Sequence, residues 1–71
     1  MKPEMTDRAR TAVTAASYGW AITPAPRSAT MRKGRRMITA EYGPDGAFIR
    51  ASVLGGERMT ELAALLTELR K

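Results

Sequence analysis

Neither cysteine nor histidine occurs in this sequence. Thiolate chemistry, disulfides, the commonest zinc ligands and the usual general base near neutral pH are therefore absent. The carboxylates do not fill the gap. Glu57 and Glu61 stand at i and i+4, where a helix would put them on one face, and helix-start electrostatics account for both. Glu41 and Asp45 flank a turn with no partner base or ligand set beside them. Paired-acid hydrolysis needs a cleft between its two acids, and 71 residues leave little room for one. The residues point away from an enzyme, a cofactor and a metal centre.

What remains is charge. The chain carries 12 Lys and Arg against 7 Asp and Glu, a net charge of +5. Arg27, Arg32, Lys33, Arg35 and Arg36 crowd one ten-residue stretch without an acid, while the other seven basic residues are matched by the seven acidic ones. A localised excess makes a field that attracts polyanions, whereas scattered charge mainly aids solubility. These five residues, assisted by Arg50, are the candidate nucleic-acid contacts, each able to release counterions from a phosphate backbone. A solvated hairpin tip whose charges discourage edge pairing is the plainer account. Four basic residues within positions 32–36 exceed what that account requires.

The elements that must position this cluster can be read from spacing. One domain is expected, because a split would leave neither half a core. Met5, Ala9, Ala12, Val13, Ala16 and Trp20 recur at helical intervals, placing Arg8, Arg10, Thr11, Thr14 and Ser17 toward water. Thr6 or Pro3 opens this helix, Gly19 closes it, and residues 1 to 4 fray. Trp20 to Thr23 reads as a short strand stopped by Pro24 and Pro26, hence an edge or crossing segment, with 24–28 a stiff connector.

Ala29–Arg32 and Arg35–Tyr42 flank Lys33-Gly34, a two-residue hairpin turn pairing Arg32 with Arg35. Ala29, Met31, Ile38, Ala40 and Tyr42 then share an inner face. Gly43-Pro44-Asp45-Gly46 is a second turn. A four-residue loop there pairs Tyr42 with Ala47, so that Ile49, Ala51 and Val53 turn inward and Phe48, Arg50, Ser52 and Leu54 outward. Gly55-Gly56 breaks the strand, and a helix from about Glu57 to Arg70 buries Met59, Leu62, Ala63, Leu66 and Leu69, with Leu65 at its margin. The expected fold is α+β: a helix, an antiparallel meander of three strands (four if the 20–23 segment joins), and a helix. Both helices cover one sheet face.

The opposite face stays open, and it suggests a second function. Met37, Phe48 and Leu54 beside Arg35 and Arg50 form a group whose aromatic could stack on bases. The same group could seed a protein interface, where aromatics, Met and Arg are enriched. Trp20 folding over the group would make it ordinary core, while Trp20 and Tyr42 by themselves read as structural anchors. The partners expected are thus nucleic acid, DNA included, or a host protein, or a second copy of the chain. No apolar run approaches the roughly 18 residues needed to span a bilayer. Met1-Lys2-Pro3-Glu4 does not open a signal peptide, so a cytoplasmic location is the expectation.

Taken together, five features resemble small orphan proteins of actinobacterial phages. They are the alanine-rich first helix running into Gly19-Trp20, the basic turn Arg32-Lys33-Gly34-Arg35-Arg36, the alternation Ile38-Thr39-Ala40-Glu41-Tyr42, the turn at 43–46 and the leucine-rich last helix. The likeness implies an origin and no particular activity. The element order is also similar to the double-stranded-RNA-binding domain, which grips phosphates with lysines at the start of its last helix. Gly55-Gly56-Glu57-Arg58-Met59-Thr60-Glu61 has two acids and one arginine there, which sets that identification aside.

Overall fold

The computed structural model describes residues 5–71; the expected fraying of 1 to 4 and a helix start at Pro3 lie outside them. The element order is α1 (Asp7–Ser17), β1 (Ala21–Ala25), β2 (Ser28–Lys33), β3 (Arg36–Tyr42), β4 (Phe48–Val53), β5 (Arg58–Met59) and α2 (Leu62–Leu69). The strands form one antiparallel meander in the order β1-β2-β3-β4-β5. The fold is α+β with five strands, beyond the three or four expected. No helix is long and apolar enough to cross a membrane among these residues.

One side of the sheet makes the core. Ala29, Met31, Ile38, Ala40, Tyr42 and Ala51 are buried on it against Ala15 of α1 and Leu65 and Leu69 of α2, so both helices lie on this side. Trp20 joins them at the exit from α1, its indole Nε1 donating to the Leu69 carbonyl at 2.8 Å. Burial of this row supplies most of the drive to fold, because apolar surface removed from water is the dominant favourable contribution.

The helices are rotated from the expected stripes. In α1 the buried residues are Thr11 and Ala15, while Val13 is 56% exposed. Thr11 tolerates burial because its hydroxyl donates to the Asp7 carbonyl at 2.8 Å. Arg8 also turns inward: its guanidinium donates to the carbonyls of Ala25, Pro26 and Ser28 and lies 5.6 Å from the centre of the Tyr42 ring. Thr6 caps α1 by accepting from the Ala9 amide at 3.0 Å. In α2, Leu65 and Leu69 form the buried line and Ala63 is exposed.

Turn chemistry explains the register differences. β1 runs through Pro24 to Ala25, paired with Ser28; as an edge strand it has a side with no ladder to interrupt, which tolerates a proline. The β2–β3 turn is Gly34-Arg35, not Lys33-Gly34, so Lys33 faces Arg36 and Met31 faces Ile38. Gly34 has φ +62° and no non-glycine residue among those described has positive φ, which suits a turn needing glycine at its first central position. Each strand slides by one residue, and the inner face keeps its membership.

The β3–β4 connection departs further. Glu41 faces Arg50 but Tyr42 faces Phe48, so a bulge leaves Ile49 without a directly opposed residue. One extra residue flips everything before it. Phe48 therefore turns to the helices, edge-on to Tyr42 at 6.2 Å, and Ile49 is 52% exposed. After Val53 the chain turns back, and Arg58 and Met59 pair with Ser52 and Ala51 where a helix was expected.

Candidate nucleic-acid interface

Register alone defines the face away from the helices. Across β1 to β4, Ala21, Arg32 and Met37 lie in one row that Leu54 prolongs, its amide donating to the Met37 carbonyl at 2.9 Å. Thr23, Thr30, Thr39, Ser52 and Arg58 make the next row. Ala25, Ser28, Glu41 and Arg50 make the third. A floor of short hydroxyl side chains is thus flanked by arginines, with Glu41 the one acid at these register positions.

The basic stretch does not act as a unit. Strand alternation sends Arg32 to the open face, where it is exposed, and Lys33 and Arg36 to the helix side, where both are half-buried. Arg36 stacks on Trp20 at 4.7 Å and donates to the carbonyls of Glu68 (3.0 Å) and Lys71 (2.9 Å) and to Glu68 Oε2 (2.9 Å). It ties β3 to the end of α2, a structural role beside the phosphate contact expected of it. The Lys33 ammonium lies 6.0 Å from the same ring. Arg35 in the turn and Arg27 in the β1–β2 turn are exposed.

The tip is also no long finger. Ala21 pairs with Arg32 on one side and Leu54 bonds Met37 on the other. Only residues 33–36 project beyond their neighbours. Arg50 is exposed on the open face, its Nε donating to Glu41 Oε2 at 2.7 Å. That pair raises the Arg50 pKa above its usual value, the Glu41 hydrogen bond being the larger cause and its charge the next.

Two depressions mark the open face. One, about 320 Å³, is lined by Glu41, Arg50, Ala51, Ser52 and Arg58. The other lies at the hairpin end among Arg32, Gly34, Arg35, Arg36, Met37 and Leu54. Arg58 was not singled out in the sequence; a two-residue strand is too short for periodicity to register. Of the apolar group expected here, Met37 and Leu54 are adjacent on this face, with Leu54 68% exposed. Phe48 is removed from it by the bulge. Among the described residues no group of three or more acids could hold a metal ion.

No family model, curated protein or solved structure matches the chain.

Proposed function

We propose that this chain is a non-catalytic nucleic-acid-binding module using the open sheet face and its hairpin end. The observation that carries the reading is the placement of Arg32, Arg35 and Arg58. Each is exposed and makes no ion pair among the described residues. Arg50 stands on the same face, and Arg27 and Lys33 add charge from the flanks. Binding is electrostatic, with arginines and threonine hydroxyls on phosphates, and insensitive to base sequence.

Four such contacts give a log–log salt slope of about −3 to −4. The test is fluorescence anisotropy of a labelled duplex titrated at several salt concentrations. Arg32→Ala/Arg35→Ala/Arg58→Ala abolishes binding at low salt while leaving the circular dichroism spectrum unchanged. Equal binding by this variant and the parent would refute the proposal.

A second reading rests on Met37 and Leu54. Their contiguous apolar surface, with Leu54 68% exposed, suits a protein contact or pairing of two copies. Light scattering on the parent and on Leu54→Asp distinguishes self-association: a mass that does not change with protein concentration and is equal for both chains removes the pairing.

A further inference from the structure

We infer that the nucleic acid this face accepts is a duplex, straddled across a groove and held by both backbones. The inference rests on the proposed function and deepens it.

The first argument is where the aromatic rings lie. The chain has four, Trp20, Tyr42, Phe48 and Tyr18. Trp20 and Tyr42 are 5% and 1% exposed within the core, and Phe48 is packed against that core. Tyr18 is the C-cap of α1, exposed and outside the strands whose register defines the face. At its register positions the open face therefore presents threonine, serine, alanine and arginine with Met37, Leu54 and Glu41, and no ring. Proteins that take single strands without sequence preference combine a basic groove with aromatic platforms on which unstacked bases lie. This face has the charge and lacks the platforms. A duplex keeps its bases stacked inside and asks only for phosphate contacts.

The second argument is the layout of the cations. Arg32 with Arg35 stands at the hairpin end, and Arg50 with Arg58 stands toward the other edge. Sheet spacings put the Cα atoms of Arg32 and Arg50 roughly 16 Å apart. Thr30, Thr39 and Ser52 lie between the two groups and carry no charge. Two arginine groups, the second sharing its row with Glu41, flank a neutral hydroxyl floor and complement two phosphate ridges across a groove.

The third argument is breadth. Five strands span roughly 19 Å, wider than the ~12 Å major groove of B-DNA. With only residues 33–36 protruding, no element is slender enough to reach base edges. The sheet lies over the groove and does not enter it.

The experiment measures anisotropy with a duplex of about 20 base pairs, its single strand of mixed sequence, and a duplex of unrelated sequence. The full chain should bind both duplexes equally, and each at least about tenfold tighter than the single strand. Arg32→Ala/Arg35→Ala and Arg50→Ala/Arg58→Ala should each weaken the duplex and shrink its advantage. A single strand bound as tightly as the duplex overturns this inference and leaves the proposed function standing. An Arg50→Ala/Arg58→Ala variant with undiminished duplex affinity overturns the two-ridge geometry. Binding to neither probe at low salt overturns the proposed function itself.

Discussion

The guanidinium carbon of Arg36 stands 4.7 Å from the centre of the Trp20 ring, and both side chains aim their donors at the last turn of α2. Trp20 takes the Leu69 carbonyl, while Arg36 takes those of Glu68 and Lys71. Carbonyls at a helix end have no partners within the helix. The planar fork and the indole supply them here, and the stack fixes both donors in place. Arg36→Ala should therefore cost about 2 kcal/mol. Arg36→Lys should recover only part of that, because an ammonium cannot reach three acceptors in a plane. Urea unfolding followed by Trp20 fluorescence reads both, and a loss no larger than that of Arg32→Ala would show the clasp to be idle.

The same pair shows why a charge cluster misleads when read along the chain. Arg32, Lys33, Arg35 and Arg36 are one block in sequence, but a strand sends successive side chains to opposite faces. Half the block was committed to the helix side once the core parity of Met31 and Ile38 was known. That parity was legible, and so were the inner row from Ala29 to Tyr42, both flanking helices and the closing role of Gly19. The bulge at Ile49 was not legible, because loops of four and five residues between Tyr42 and β4 differ by one residue and no local signal separates them. The rotation of α1 was also hidden: Thr11 reads as polar until its hydroxyl finds the Asp7 carbonyl.

Phe48 tests that bulge directly. The four-residue loop made it a surface residue, whereas the structure packs it edge-on against Tyr42. Its amide also donates to Asp7 Oδ2 at 2.8 Å, tying β4 to the start of α1. Phe48→Ser should destabilise by about 2 kcal/mol, as expected for truncating a partly buried aromatic. Ile49→Ser, one position on, should be near neutral. Thermal melts of the two variants reverse in order if the register has no bulge.

Gly46 is constrained twice. Its φ is +85°, and a Cβ there would sit 2.9 Å from the Thr6 Cβ. Gly34 has φ +62° with open space around it. Alanine at position 34 should thus cost about 1 kcal/mol from backbone strain alone. Alanine at position 46 should cost more, and part of the excess should vanish in a Thr6→Gly background. Equal losses at the two glycines would mean that the α1 start does not press on the β3–β4 loop.

Tyr42 gives the fold an alkaline limit. Its hydroxyl is buried without a well-formed hydrogen bond. Burial raises its pKa above the ordinary 10.0, outweighing the lowering by the Thr11 hydroxyl and the Arg8 charge. Above pH 10 the unfolded chain ionises this phenol while the folded chain still holds the proton. The folded state then binds more protons, so stability falls as pH rises through that window and is fully present below it. Tyr42→Phe should remove this contribution to the alkaline slope. At neutral pH it should be neutral or slightly stabilising, since a poorly satisfied buried hydroxyl is lost. Parallel slopes above pH 10 for parent and variant would place the titration elsewhere.

Glu41 separates the polyanion reading from its rivals most sharply. It is the one acid at the open-face register positions, and it occupies Arg50 at 2.7 Å. The pair is well exposed and screened by water, so losing it should leave the melting temperature unchanged. Its effect on a phosphate ligand should be large by comparison. Glu41→Gln removes a repelling charge from the face and leaves Arg50 wholly to the phosphates, so duplex affinity should rise. Glu57→Gln, also removing one negative charge but outside the three face rows, controls for net charge. If the two variants gain affinity equally, the protein attracts nucleic acid by its overall field and the open face has no special part in the contact. If Glu41→Gln alone gains, the phosphates meet the open face around Glu41 and Arg50.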